Sequence, residues 1–529
     1  MSNGRILVVD DIPDVRNTVV GLLADEGYEV HGAATYEEAV DLLNRVRFHV
    51  AVLDIRLDES DVDNEAGLRL MHYIRQFDPT ISPIILTGYA EVHMVQEALR
   101  PGKSGKSPAF SFLEKTEITL MPEIVKQAFS QSVRVNRTLV IEDNGEIILA
   151  LARRLRFQGK SKPEIEFLAE EIDELLRKLF FTCERIVIDS PQQGYSAAAV
   201  FKVVPWYKDR IQGEALIVKI GERGIADEEV NRYQEYVLGK VGGHRVPIRI
   251  ETTHTRSLTG ILYTFAGLGF VQSFPAFFYQ ANVEAIRTVI RNLYLTTCRP
   301  WQRDEIISVE LTDLRAVYFH HLWSSDQKLE QSLKHMTGKR HPFRLENDEH
   351  LWLGEDIQLH NPVSFVRTHS FEQSTLYGII HGDLQGYNVL IDHRQETWLI
   401  DFASTTRGPI AQDYALFEAY LLVSILEAED WQALYPWYEL LFKAGSLTAV
   451  PLSGELRTKQ DIWKAHTAIL TIRRLAFGDA VSLSESEYLI SLLFNLLKLL
   501  TILNLPSTQR DFALIASSFV ASRLANLLS

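Results

Sequence analysis

Short apolar runs alternate with longer helical repeats along the first part of the chain. The apolar runs are Ile6–Val9, Val50–Leu53, Ile84–Leu86 and Phe110–Leu113. Between them, apolar residues recur at helical spacing over Val15–Glu26 and Tyr36–Arg47. Because strands that alternate with helices form parallel sheets covered on both faces, the pattern predicts an α/β domain.

Polar residues follow these runs closely. They are Asp10 and Asp11, Asp54, Thr87 and Lys115. Since the carboxyl ends of parallel strands meet at one edge of the sheet, we expect these side chains to converge there. Three carboxylates repel one another unless a divalent cation lies between them, and oxygen ligands favour magnesium. The lysine and threonine would suit the oxygens of a phosphoryl group.

This set resembles the receiver domain of two-component response regulators over residues 1–133. The resemblance implies a doubly wound, flavodoxin-like sheet of five parallel strands. It also implies that Asp54 accepts a phosphoryl group from a cognate histidine kinase. Asp11 would bind magnesium directly and Asp10 partly through water. The alternative is a flavodoxin-like domain with coincidental acids.

The chain departs from the receiver pattern at three places. Residues 58–65 are rich in acids, Thr116 stands where receivers usually have proline, and an insertion at 100–108 precedes the last strand. The insertion borders the face through which many receivers dimerise, so a homodimer stays an open possibility. The aromatic residue expected three positions before the lysine is present as Phe112.

A connector over residues 134–180 joins this domain to the next. Thr138–Glu142 and Ile147–Leu151 flank Asn144-Gly145, which predicts a hairpin. Apolar residues at helical spacing from Ile165 to Leu179 predict an amphipathic helix. This helix would either pack on a neighbouring domain or form a short coiled-coil arm. Because it spans only two heptads, which is short for a coiled coil, packing within the chain is favoured.

Residues 181–267 read as a small lobe of strands. Gly194 and Ser196 lie in a turn between two apolar runs, where small residues let backbone amides approach phosphates. Lys219 interrupts an apolar run, and Glu229 in the following helix is a candidate partner for it, with Glu228 and Glu235 as rivals. A lysine there is also typical of a solubilising edge strand.

A polar turn between Val389–Ile391 and Trp398–Ile400 predicts a second hairpin. Asp383 and Asn388 precede the hairpin, and Asp401 follows it. Phosphoryl transfer from a nucleotide needs a carboxylate for the accepting hydroxyl, and an amide and a carboxylate for magnesium. We therefore assign Asp383 as the catalytic base and Asn388 and Asp401 as metal ligands.

The motif His-Gly-Asp-(x)4-Asn-Val-Leu followed by Ile-Asp-Phe resembles the aminoglycoside phosphotransferase and choline kinase group of protein-kinase-like enzymes. The resemblance implies a bilobal α+β kinase-like fold that binds ATP and magnesium, with Lys219 and Glu229 at the phosphates. The backbone of Phe265 and Ala266 would hold adenine, and His381 and Asp413 would brace the catalytic loop. Residues 268–529 would form a largely helical lobe, with the catalytic hairpin at 379–402.

A second resemblance leaves the activity open. The Gly-Tyr-Ser turn, the Val-Lys-Ile-Gly strand and the Ile-Asp-Phe-Ala-Ser-Thr run look like bacterial ternary-complex-associated domains, which are kinase-like modules of regulatory systems. The chain would then be either a receiver-regulated phosphotransferase acting on a hydroxyl of a small molecule or partner protein, or a phosphorylation-switched scaffold that binds nucleotide or a partner.

Charge and composition narrow the partners. The 529 residues carry a formal charge of −15, which disfavours nucleic-acid binding because that binding needs a positive field. The two cysteines lie far apart, which indicates neither a disulfide framework nor a zinc site. Tyr488–Leu505 is the one segment whose length and apolar content would suit a membrane span. Polar residues recur along it at helical spacing, which indicates a buried amphipathic helix instead. We expect a cytoplasmic protein without membrane contacts.

Overall fold

The computed structural model describes most of the chain, and it forms two compact units. The described residues are 4–58, 65–88, 95, 98–100, 107–142, 147–155, 164–188, 198–241, 246, 248–264, 271–302, 306–322, 326–338, 342–452, 454–502 and 505–528. The first unit comprises Met1–Asp227 and Arg249–Phe265, and the second comprises Glu228–Ile248 and Ala266–Ser529.

The first unit begins with a parallel five-stranded sheet in the order β2-β1-β3-β4-β5. Its strands are β1 (Arg5–Val9), β2 (Glu29–Ala33), β3 (Val50–Leu53), β4 (Ser82–Thr87) and β5 (Ser111–Glu114). Its helices are α1 (Pro13–Asp25), α2 (Tyr36–Arg45), α3 (Ala66–Phe77) and α4 (Met121–Ala128). Alternate residues of β1 enter two separate apolar clusters, so each face of the sheet is covered. The predicted doubly wound sheet is confirmed.

The predicted connector hairpin is wrong. The strand β6 (Val140–Glu142) pairs in parallel with β7 (Arg185–Ile188), and the segment after it is helix α5 (Ile147–Arg154). Leucine, alanine and arginine dominate this segment and are strong helix formers. The predicted helix is present as α6 (Ile165–Leu179), and its apolar face is buried in the cluster that also contains α5 residues and the following strands.

The strands after α6 continue the sheet that β6 and β7 begin. They are β8 (Ala199–Tyr207), β9 (Ile211–Gln212), β10 (Leu216–Glu222), β11 (Arg249–His254) and β12 (Leu258–Thr264), with helix α7 (Arg223–Arg232) after β10. The order is β11-β12-β10-β8-β7-β6, with β9 paired to β8. The antiparallel pairing of β7 with β8 confirms the predicted hairpin around residues 189–197, which themselves lie outside the described residues.

The second unit contains three small antiparallel sheets, in the orders β13-β19-β20, β14-β18-β21 and β15-β16-β17. The strands are β13 (Val271–Ser273), β14 (Ile307–Asp313), β15 (Phe343–Leu345), β16 (His350–Leu353), β17 (Ile357–His360), β18 (Glu372–Ile380), β19 (Val389–Asp392), β20 (Thr397–Leu399) and β21 (Thr406–Pro409). The predicted hairpin around the polar turn is confirmed as β19–β20. The lobe expected to be largely helical over residues 268–529 also contains strands, because β14 to β18 precede this hairpin.

The other regular elements described in the second unit are mainly helices. They are α8 (Phe274–Gln280), α9 (Val283–Arg291), α10 (Arg299–Gln302), α11 (Leu314–Leu322), α12 (Asp326–Met336), α13 (Pro362–Thr368), α14 (Ala411–Val423), α15 (Tyr435–Lys443), α16 (Gly454–Thr458), α17 (Gln460–Arg474), α18 (Glu485–Leu500) and α19 (Ser507–Leu528). Among the described helices, α19 rather than the segment starting at Tyr488 is long and apolar enough to span a membrane. However, 61% of its most apolar window is buried within the protein, as in the core helix of a folded domain.

A fully buried ion pair joins two of these helices. Arg473 of α17 donates to both carboxylate oxygens of Glu418 of α14, at 2.6–3.2 Å, and neither side chain is exposed. Tyr488 of α18 donates its hydroxyl to the same carboxylate. Burial alone lowers the pKa of Arg473, but Glu418 outweighs it and raises that pKa.

Removing the carboxylate should therefore destabilise the second unit strongly. We expect Glu418→Gln to lower the free energy of unfolding by about 3–5 kcal/mol, because it leaves the Arg473 charge buried without its partner. Urea unfolding followed by tryptophan fluorescence measures this. The control is Glu439→Gln, which breaks the exposed pair with Lys443 and should cost at most about 1 kcal/mol. Equal losses in the two variants would show that the buried Glu418–Arg473 pair contributes no more to stability than an exposed pair.

Candidate functional site

The carboxyl edge of the N-terminal sheet brings the five predicted polar residues to strand ends. Asp10 and Asp11 follow β1, Asp54 follows β3, Thr87 ends β4, and Lys115 follows β5. The Lys115 ammonium lies 2.8 Å from Asp10 Oδ2 and 2.6 Å from Asp54 Oδ2. Burial alone lowers the pKa of Lys115, but its bonds to these two carboxylates outweigh that effect and raise it.

The same edge has the donor set of a divalent cation site. One carboxylate oxygen from each of Asp10, Asp11 and Asp54 lies within 4.8 Å of the others. Asp54 Oδ1 is buried and accepts no hydrogen bond from the described residues. Burial also raises the pKa of Asp10, which lies beside the Asp54 charge. A magnesium ion fits here because it would ligate the open oxygen and offset the crowded negative charge.

A second cluster in the other unit is built around Asp413, near the start of α14. Its carboxylate is 1% exposed and accepts the backbone N–H groups of His381 at 2.7 Å and of Gly382 at 3.0 Å. Gly382 has φ of +77°, and a Cβ there would lie 2.3 Å from the carbonyl oxygen of Ser404. Burial raises the pKa of Asp413, although His381 and the two amides act in the opposite direction.

This brace orients the loop that carries Asp383 and Asn388. The Asn388 side-chain amide donates to the Asp383 backbone carbonyl at 2.7 Å and to Asp383 Oδ2 at 3.0 Å. The structure therefore brings the predicted base and one predicted metal ligand into direct contact.

The other side of the loop is held by His381. Its Nε2 lies 3.0 Å from the Ile400 carbonyl oxygen, which can only accept, so that nitrogen carries the proton. The loop is thereby tied to the residue before Asp401, whose φ of +67° is in the left-handed region. The ring of Phe402 lies 5.3 Å from the His381 ring and completes the packing.

The structure describes only some of the residues that were predicted to bind the nucleotide. Lys219 of β10 and Glu229 of α7 are both buried, whereas the rivals Glu228 and Glu235 are exposed. This burial favours Glu229 among the three glutamates. Gly194, Ser196, Phe265 and Ala266 lie outside the described residues.

Two residues of the loop's support were missed in the sequence. Gln412 donates its side-chain amide to the Gly382 carbonyl at 3.3 Å, and Thr405 donates its hydroxyl to the His381 carbonyl at 3.3 Å. Both are buried. For Gln412, the available signal was its place beside Asp413 in the first turn of the apolar helix α14, since buried polar residues need partners.

Comparison with known proteins identifies the first cluster. The model of the response regulator receiver domain matches residues 6–116. Sporulation initiation phosphotransferase F of Bacillus subtilis is 30% identical over 102 residues, which are 19% of this chain and 78% of that protein. The chain belongs, through its N-terminal part, to the response regulator receiver family. Receivers bind magnesium and are phosphorylated by histidine kinases.

The remaining comparisons are narrower. The nitrogen assimilation regulatory protein NtrX of Azorhizobium caulinodans is 32% identical over 110 residues, 21% of this chain and 22% of its own, so this chain spans about a fifth of such relatives. The solved receiver domain of NtrX from Brucella abortus is 30% identical, with a TM-score of 0.21, over 24% of this chain and 99% of its own. The model of ternary complex associated domain 9 matches residues 321–501, which include the second cluster.

The receiver geometry predicts a hierarchy among its acids. Asp54→Asn should abolish labelling by acetyl phosphate with magnesium while the fold is retained. Asp11→Asn should weaken magnesium binding by at least about tenfold, and more than Asp10→Asn, because even outer-shell partners are worth about 10–100-fold in metal affinity. The exposed Asp14 of α1 provides the control, since Asp14→Asn should change neither property. Equal labelling of the Asp54 variant would refute its role as acceptor.

Proposed function

We propose that this protein is a two-component signalling protein in which a receiver regulates a kinase-like phosphotransferase. The receiver would span residues 1–133 and the connector 134–180. The nucleotide lobe would span 181–267 and the helical lobe 268–529, with the catalytic hairpin at 379–402. The reaction would move the γ-phosphoryl group of ATP to a hydroxyl of a small molecule or partner protein.

The receiver step uses the buried carboxylate. An oxygen of Asp54 attacks the phosphorus of the kinase's phosphohistidine, a P–O bond forms, the P–N bond breaks, and the imidazole leaves with its electron pair. Bound magnesium would offset the phosphoryl charge, held by Asp11 and Asp54 directly and by Asp10 partly through water. Lys115 and Thr87 would bind the phosphoryl oxygens. The contact of Lys115 with both Asp10 and Asp54 supports this assignment.

The kinase-like step rests on one observation above all. The buried Asp413 holds the loop backbone so that Asp383 and Asn388 share a hydrogen bond. In the proposed reaction, the acceptor oxygen attacks the γ-phosphorus, the bond to the β-phosphate oxygen breaks, and ADP leaves. Asp383 takes the hydroxyl proton.

The remaining roles concern the nucleotide. Asn388 and Asp401 would hold magnesium, which neutralises charge on the phosphates when bound. Lys219 and Glu229 would serve the nucleotide phosphates, and both side chains are buried. Gly194 and Ser196 would cover the phosphates, and the backbone of Phe265 and Ala266 would hold adenine.

A second candidate function is a switchable scaffold without turnover. The match of residues 321–501 to ternary complex associated domain 9 favours it, because that family is named for association rather than catalysis. In this reading, phosphorylation of Asp54 changes the affinity of the second unit for nucleotide or a partner. Single-turnover measurements distinguish the phosphotransferase from the scaffold. If the protein is a scaffold, the wild type binds Mg-ATP but consumes it no faster than the Asp383→Ala variant does.

The partners follow from the same proposal. A cognate histidine kinase would supply the phosphoryl group, and response regulator homologues are soluble cytoplasmic proteins. We expect no nucleic-acid partner, because the charge is −15, and no membrane partner, because α19 is largely buried. A receiver homodimer is compatible with the proposal.

The two catalytic carboxylates should be separable by experiment. Asp383→Ala should leave Mg-ATP affinity within about twofold but lower phosphoryl transfer by about 10²–10⁴, the usual worth of a positioned base. Asp401→Ala should weaken Mg-ATP binding itself, because it removes an anionic metal ligand. Calorimetry and single-turnover consumption of labelled ATP measure these effects.

The control is Asp348→Ala, since this acid lies exposed in the same unit. It should change neither binding nor turnover. A wild-type protein that binds no Mg-ATP would overturn both the phosphotransferase proposal and the nucleotide form of the scaffold.

A further inference from the structure

The receiver is packed against the other elements of the first unit through buried charged groups. Glu174 of α6 accepts Arg47 of the receiver at 2.7 Å and lies 3.3 Å from His49 Nε2. The other carboxylate oxygen of Glu174 pairs with Lys178 at 2.7 Å. Lys178 also donates to the carbonyl of His254, which ends β11, at 2.9 Å. One carboxylate thus links the receiver to the β11–β12 hairpin.

The turn of that hairpin also touches the receiver directly. The Arg256 guanidinium lies over the ring of Phe77, the last residue of α3, at 3.7 Å from its centroid. The next residue, Ser257, donates its backbone N–H to the buried Glu171 of α6 at 3.1 Å. The turn is therefore held between α3 and α6.

The opposite side of the same turn holds the start of α7. Arg223 donates its backbone N–H to the Ser257 carbonyl at 2.9 Å and its guanidinium to the Thr255 carbonyl at 3.2 Å. Asp227 accepts the hydroxyl of Thr259 at 2.7 Å. These bonds fix the first turn of the helix that carries Glu229 two residues later.

Helix α3 spans the distance from the phosphorylation site to this turn. Near its start, Gly67 donates its N–H to the Ile55 carbonyl at 2.8 Å, and a Cβ on Gly67 would lie 1.7 Å from the Asp54 carbonyl oxygen. The helix is 12 residues long, or about 18 Å, and its inner face is buried. Close-packed protein interiors transmit strain, so a displacement at one end of this helix can reach its other end.

We propose that α3 transmits the phosphorylation state of Asp54 to α7, and that Arg256 is the positioning residue at the junction. A shift of the Asp54–Ile55 backbone displaces the start of α3, its far end carries Phe77, and Arg256 passes that displacement to the turn that anchors Arg223 and Asp227. The consequence for Glu229 and the phosphates rests on the proposed function, whereas the mechanical link does not.

Hydrogen–deuterium exchange on the full-length protein tests this link without nucleotide. Magnesium with beryllofluoride serves as the phosphoryl mimic at Asp54. In the wild type, we expect it to change exchange rates in α7 and in residues 254–259 by at least about fivefold, the lower end of typical allosteric couplings. In Arg256→Ala, this response should fall below twofold, while the response of peptides around Asp54 and Gly67 is retained.

Two further variants make the result specific. Phe77→Leu removes the ring from the receiver side and keeps apolar bulk, so it should lose the α7 response as Arg256→Ala does. Arg249→Ala removes a guanidinium that donates to the Thr252 hydroxyl of the same strand at 2.8 Å, and this variant should respond like the wild type. No α7 response in the wild type, or an undiminished response in Arg256→Ala, would overturn the proposal. Failure of the wild type to bind Mg-ATP would refute the proposed function but would leave the link through Arg256 unaffected.

Discussion

The candidate catalytic loop depends on one buried carboxylate. Asp413 is removed from water, and a buried charge is tolerated only when hydrogen bonds compensate it. Here the compensation comes from the two backbone amides of the loop, so the conformation of His381 and Gly382 and the burial of Asp413 require each other. The left-handed backbone at Gly382 follows from the same constraint, as does the close approach of that residue to Ser404.

Similar compensation recurs at two other buried acidic sites among the described residues. In the receiver, Lys115 offsets Asp10 and Asp54, and one Asp54 oxygen accepts no hydrogen bond from the described residues, as its proposed role as acceptor and metal ligand requires. Burial alone would raise the pKa of Glu174, but the positive charges of Lys178 and Arg47 outweigh it and hold that pKa well below its usual value. Glu174 therefore stays ionised, which maintains the link between receiver and hairpin. Truncating one member of such a buried ion pair is costly, because it leaves the other charge buried without its partner.

The parts of the fold with strong local signals were predictable. The alternation of apolar runs and helical repeats predicted the receiver sheet, and the polar turn predicted the β19–β20 hairpin. The predicted hairpin strand over Ile147–Leu151 was wrong. Asn144-Gly145 is a hairpin signal, but β6 pairs with the distant β7 and the segment after β6 is helix α5. Strand β18 pairs with β14 and β21 across long sequence separations, which periodicity does not encode.

The candidate sites divide in the same way. Asp383, Asn388 and Asp413 were found because their spacing is local or matches a motif. Gln412 and Thr405 were missed, since only the folded loop reveals the carbonyls that they serve. The pairing of Arg47 with Glu174 joins residues 127 positions apart, and both look like ordinary surface charges in the sequence.

Reciprocal titration of the wild-type protein tests most directly whether the receiver and the proposed nucleotide site are coupled. The Kd of Mg-ATP is measured with and without beryllofluoride, and the Kd of beryllofluoride with and without Mg-ATP. The account predicts that both change by the same factor, between about 5-fold and 150-fold, because binding couplings are reciprocal. If Mg-ATP binds and neither affinity moves by more than about twofold, the two sites are independent and the account is contradicted.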